Sequence, residues 1–128
     1  MTQEEFIKVL DEAGYSYEIE GAKIVVKNGG NVYLNSYTSL PPGVEFKNGG
    51  YVWLDSLPSL PPGVEFRNKE GVFLRSLISL PPGVVFMNGS VVNLESLIGG
   101  WLDEWIGNIE GVDNKRLLNL MISKGVFI

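Results

Sequence analysis

The chain contains no cysteine and no histidine. Without cysteine there is no disulfide and no thiolate metal site, and nothing points to an oxidising compartment. Without histidine the commonest general base, the commonest metal ligand and the usual pH switch are missing together. Cations are also scarce: 10 Lys and Arg against 15 Asp and Glu leave a net charge of −5. Direct nucleic-acid binding is therefore not expected, because phosphate contacts need clustered Lys and Arg. No apolar run approaches the roughly 20 residues that span a bilayer. The opening "MTQEEFIKVLDEAGY" lacks the basic start and apolar centre of a signal peptide. A cytoplasmic protein with no membrane contact is expected.

Repetition is what the chain has in quantity. Its 128 residues suit one domain, and a 45% hydrophobic, 20% charged composition argues against disorder. "SLPPGVEFKNGGYVWLDSL" (Ser39–Leu57) is followed by "SLPPGVEFRNKEGVFLRSL" (Ser59–Leu77) and "SLPPGVVFMNGSVVNLESL" (Ser79–Leu97), a period of 20 residues. Val32/Val52/Val72/Val92 and Leu34/Leu54/Leu74/Leu94 fall in columns, as do Val44/Val64/Val84, Phe46/Phe66/Phe86 and Asn28/Asn48/Asn68/Asn88. "KIVVKNGG" (Lys23–Gly30) fits as a degenerate first unit, and "SLIGG" (Ser96–Gly100) is where the pattern stops.

Each unit holds two stretches of period-two alternation, Val-x-Leu-x-Ser and Val-x-Phe-x-Asn, which specify strands rather than helix. Pro-Pro-Gly forbids helix between them and "NGG" makes the other corner. Such a unit cannot bury its apolar side alone. Stacking copies about 4.8 Å apart converts the columns into a continuous core. The expected fold is mainly β with helical caps: a small parallel β-solenoid of about four 20-residue coils. The inward asparagines are expected to bond one another and the corner backbone, and the Ser columns to serve the corners likewise.

Both ends of a solenoid need cover. Thr2 and Glu5 form a capping box, Phe6, Val9, Leu10 and Ala13 give one apolar face, and Gly14 ends the helix. "YSYEIEGAKIVVK" then predicts a hairpin. At the far end Asp113 caps "NKRLLNLMISK", Gly125 stops it, and "VFI" becomes a short strand or plug. Trp101 and Trp105, four apart, are expected to share a face and seal the last coil. The single domain thus divides into residues 1–30 (helix, hairpin and first half-coil), 31–98 (solenoid) and 99–128 (C-terminal helical cap).

If Val and Leu point in, their neighbours point out. Tyr33, Trp53, Phe73 and Asn93 form one outward column, flanked by Asn31/Tyr51/Gly71/Val91 and Asn35/Asp55/Arg75/Glu95. An exposed aromatic patch of Tyr33, Tyr51, Trp53 and Phe73 is a candidate partner surface, with Asp55 and Arg75 beside it. Aromatic stacking that merely stabilises the outer face is the alternative. The other outward face carries Glu45/Lys47 and Glu65/Arg67, expected as a solvated charge lattice. Val85 and Met87 break that lattice, so cover is expected there, from the C-terminal cap, a second copy or a partner.

Catalysis finds little support. The serine columns lack a base, Glu45 and Glu65 sit beside cations on a flat face, and "NGG" recurs as a corner rather than a phosphate loop. No metal or cofactor is expected.

The texts "YTSLPPGV", "LPSLPPGV" and "LISLPPGV", each followed by a strand and "SL", resemble a family of short repeat proteins from bacteria and their phages, often labelled leucine-rich-repeat-like. The "LxxLxLxxN" order of leucine-rich repeats proper is not kept. The opening "EEFIKVLDEAGY" and the ending "GNIEGVDNKRLLNLMISKGVFI" resemble that family's caps. The resemblance implies a solenoid and a phage or mobile-element setting, and transfers no active site. Small acidic proteins of that setting are frequently inhibitors of host defence, CRISPR effectors included. The expectation is a non-enzymatic module that binds another protein, for which a CRISPR effector or other basic nucleic-acid-binding protein is a candidate. Acidic ends would meet its basic channel: residues 1–20 hold six acids against Lys8, and 95–113 hold five acids and no base. The competing expectation is a structural or self-assembling repeat protein, a homodimer through Val85 and Met87 among its forms.

Overall fold

Period-two columns 20 residues apart dictate two short strands per coil, in register with the coil before. The structure, a computed structural model describing residues 1–102 and 113–128, contains them. β2 (Lys23–Val26), β4 (Val44–Phe46), β6 (Glu65–Phe66) and β8 (Val85–Phe86) form one parallel run. β3 (Val32–Tyr33), β5 (Val52–Trp53), β7 (Val72–Phe73) and β9 (Val92–Leu94) form the other. Val26 pairs with Phe46, Phe46 with Phe66 and Phe66 with Phe86, while Val32, Val52, Val72 and Val92 pair in turn. The protein is a parallel β-solenoid of about four coils, flanked by a helix on each side.

Packing follows from the register. Phe46, Phe66 and Phe86 stack with ring centroids 5.4 and 4.9 Å apart and planes within 6° of parallel. Leu34/Leu54/Leu74/Leu94, Val44/Val64/Val84 and Leu40/Leu60/Leu80 join them in one core. Each such side chain removed from water contributes about 1.5–3 kcal/mol, which two-residue strands need.

The Asn corner meets one half of the expectation, the bonds to corner backbone, and not the other. Asn68 Nδ2 donates to Gly50 O at 3.0 Å, Glu70 O at 3.2 Å and Gly71 O at 3.1 Å, and Asn48 and Asn88 repeat this in their own coils. The amides bond backbone and not one another. Three carbonyls share the two Nδ2 hydrogens of Asn48, Asn68 and Asn88, two share those of Asn28, and Oδ1 of all four finds no donor among the described residues. The corner is also tight: a Cβ on Gly49 would lie 2.3 Å from Gly29 O, and one on Gly89 2.1 Å from Lys69 O. The serine columns behave as expected, Ser56 and Ser96 donating to Asn35 O and Arg75 O of the preceding coil.

At each end, one sheet edge receives a strand and the other a side chain. α1 (Gln3–Ala13) starts on the Thr2–Glu5 capping box, ends at Gly14 with φ 75°, and buries Phe6 and Leu10 on the first coil. β1 (Tyr17–Glu20) pairs antiparallel with β2, and the Tyr15 hydroxyl accepts from Tyr33 N on the other sheet at 2.9 Å. At the far end α2 (Glu95–Ile98) and Gly99, φ 88°, reverse the chain so that β10 (Gly100–Trp101) pairs antiparallel with β9. α3 (Asn114–Ser123), capped by Asp113, then sets Asn119 against β8. Its amide accepts from Phe86 N and donates to Phe86 O, both at 2.8 Å, standing in for a further strand beside β8. The terminal "VFI" is a plug rather than a strand: Phe127 packs on the core and its carbonyl accepts from Leu80 N. Trp105 lies outside the described residues. No helix among the described residues is long and apolar enough to cross a membrane.

Candidate functional site

Outward side chains of β3, β5 and β7 stand one above another because the strands are in register, so neighbouring rings must stack or splay. They stack. Tyr33 and Trp53 lie 6.2 Å apart, and Trp53 and Phe73 only 3.9 Å apart with planes 5° from parallel. Tyr51, one column over, tilts onto both Trp53 (6.3 Å) and Phe73 (5.8 Å). Gly71 makes room for it, since a Cβ there would meet the Tyr51 ring at 3.1 Å and Val91 at 2.9 Å.

Alternation predicted exposure along the whole ladder, but its last two members are covered. Phe73 is 9% and Asn93 7% exposed. Trp101 is the cause. β10 places it opposite Asn93, and its ring meets Phe73 edge-on at 5.8 Å. The doubled Gly99-Gly100 was the sequence signal for that reversal. Phe73 therefore belongs to the packing, and the accessible part of the patch is Tyr33, 58% exposed, with Tyr51 and Trp53 half-buried.

The positions beside the ladder hold it in place. Asn31 Oδ1 accepts from Tyr51 N at 2.8 Å while its Nδ2 donates to the Tyr33 hydroxyl at 2.9 Å. Asn35 Oδ1 accepts from Asp55 N, and Asp55 Oδ1 from Arg75 N, each one coil on. Asp55 and Arg75, both predicted at the partner surface, also pair with each other at 2.7 Å. The bond to Asp55 raises the Arg75 pKa above its usual value. Sequence reasoning missed Tyr15, whose hydroxyl supports Tyr33; its place directly after the helix-ending Gly14 carried no signal of that bond.

The opposite face is not the solvated lattice expected from alternation. Glu45 is 6% exposed, with Arg67 Nε at 3.2 Å, Lys47 at 3.6 Å and Lys23 at 4.0 Å. Lys23 reaches past it to Glu65 at 3.0 Å, where Arg67 also lies at 3.4 Å. Three long cationic side chains lie over two stacked carboxylates, and their stems exclude water. The Lys23 hydrogen bond holds the Glu65 carboxyl below the ordinary glutamate range, and the same bond raises Lys23. A lowered carboxyl pKa contributes stability that is full above the unfolded value of about 4.3 and lost as pH falls through the folded one. The raised lysine contributes below about 10.4 and is lost as pH rises through its folded value. Thermal unfolding followed against pH is expected to show an acid limb that Glu65→Gln flattens.

Among the described residues, the C-terminal helix does not lie across Val85 and Met87 as expected. α3 sits over the open edge of β8, and Met87 remains 55% exposed with Val85 half-buried. Compared with protein-family models, characterised proteins and solved structures, the chain finds no match.

Proposed function

We propose that this chain is a non-enzymatic protein-interaction module, of phage or mobile-element origin, that docks a basic partner through Tyr33, Tyr51 and Trp53. The observation carrying this reading is the Tyr33 ring, 58% exposed, at the free end of a stack braced by Trp53, Tyr15 and Asn31. Rings held on two sides lose little conformational entropy on binding, which favours Tyr and Trp as anchors. The faces of Trp53 are occupied by Tyr33 and Phe73, so the ladder offers ring edges plus the outer Tyr33 face. That geometry suits apolar and cationic protein side chains. The N-terminal helix adds Asp11 and Glu12 in its last turn with no base there. Carboxylates at that end oppose the helix dipole, a local disadvantage consistent with a surface shaped for a cationic partner.

In a phage setting the partner is a host-defence nucleoprotein whose basic nucleic-acid channel meets the acidic N-terminal end, and the module acts as its inhibitor. Retention of a captured partner on the immobilised chain should weaken steeply with added salt. Salt-independent retention would remove the electrostatic part of the proposal. The exposed Met87 favours a second reading, self-assembly through the Val85/Met87 face. Light scattering separates the two: the docking module is a monomer, and a concentration-dependent dimer abolished by Met87→Lys would support assembly.

A further inference from the structure

Three asparagines in the corner column are followed by glycine: Asn28-Gly29, Asn48-Gly49 and Asn88-Gly89. In such a pair the glycine backbone nitrogen can attack the asparagine Cγ, because no Cβ obstructs it. The nitrogen gives up its proton to solvent base, the N–Cγ bond forms, and the Cγ–Nδ2 bond breaks with release of ammonia. Water then opens the resulting succinimide to aspartate or isoaspartate. The net change is hydrolysis of one amide, with no other reactant.

The solenoid treats the three pairs differently. Gly49 N is held by Asn28 O at 3.0 Å and Gly89 N by Asn68 O at 3.0 Å, so both nucleophiles are engaged with the preceding coil. Their asparagines are buried, and each amide donates to three carbonyls. The first coil has no coil before it. Gly29 N has no hydrogen-bond partner among the described residues, Asn28 is only partly buried, and its amide donates to two carbonyls at 3.3 and 3.2 Å.

We infer that Asn28 is a deamidation site in the folded protein and that stacking protects Asn48 and Asn88. The product alters the candidate site directly. A carboxylate at position 28 loses both donors to Gly30 O and Asn31 O, and Asn31 is the residue bonded to the Tyr33 hydroxyl and to Tyr51 N. Deamidation at Asn28 thus loosens the accessible end of the aromatic ladder as the protein ages.

The test is peptide mapping by mass spectrometry of folded protein incubated at mildly alkaline pH, beside the same protein in urea. Product at Asn28 should accumulate roughly tenfold or more faster than at Asn48 and Asn88 in the folded chain, with the three converging in urea, because the inner pairs react only after local opening. Gly29→Ala introduces a Cβ with nothing within 4 Å, so the fold tolerates it while attack is hindered. It should suppress product at Asn28 alone. Equal rates at the three positions in the folded protein would overturn the inference. So would absence of product at Asn28 while urea exposes all three, or indifference to Gly29→Ala.

Discussion

Phe66→Ala is expected to destabilise the protein by about 3–5 kcal/mol, the range for truncating a buried aromatic. Phe66 is fully buried and lies between Phe46 and Phe86, touching one ring on each face. Its removal opens a void that neither neighbour can fill, because each is fixed by its own strand pairing. Two ring stacks also disappear, each worth about 0.5–1.5 kcal/mol beyond area burial. A small domain has only about 5–15 kcal/mol of net stability, so the loss is a large fraction of it. Urea unfolding followed by circular dichroism measures the effect. Phe66→Leu, which keeps most of the volume, should cost less than half as much. Equal effects of the two variants would show that the Phe column is not the close-packed spine described above.

Asn68→Asp is expected to be of similar size, about 3–5 kcal/mol at neutral pH, the range for an uncompensated buried charge. The side chain is 1% exposed and faces the carbonyls of Gly50, Glu70 and Gly71. Exchanging NH2 for a carboxylate oxygen turns three attractions into three repulsions. A carboxyl in that setting has its pKa raised, so the penalty is full at neutral pH and shrinks as the medium is acidified and the group takes up a proton. Denaturation midpoints at neutral and acid pH, compared with the parent chain, test this. Each carbonyl keeps another donor: Gly71 O retains Val52 N, for example. Asn68→Leu should therefore be milder than Asn68→Asp at neutral pH.

How much of this was legible in the residues depends on how far each interaction travels along the chain. The core columns repeat every 20 residues, so one alignment placed Val44, Phe46, Val52 and Leu54 inside and predicted the register. The capping box and Gly14 are contained in one helix and were equally readable. The misread features join segments that no repeat relates. Trp101 covers Phe73 because the chain reverses after the last coil, and Asn119 pairs with Phe86 from 33 residues away. Glu45 is buried because Lys23 and Arg67 lie over it from the coils on both sides, whereas alternation assigns it simply to the outside. Periodicity decides which way a residue points. What then covers it is decided by the irregular ends.

The same distinction underlies the docking proposal. Columns that stay fixed are committed to packing and corners, so the proposed docking rests on positions that vary between coils and remain accessible, Tyr33, Tyr51 and Trp53 foremost. The direct measurement is capture of a partner from bacterial lysate on the parent chain and on Tyr33→Ala/Tyr51→Ala, with the thermal midpoint of both proteins recorded alongside. A protein retained by the parent and lost by the double variant, at a nearly unchanged midpoint, is the predicted result. A partner retained equally by both, with the same salt dependence, would contradict docking through the aromatic face.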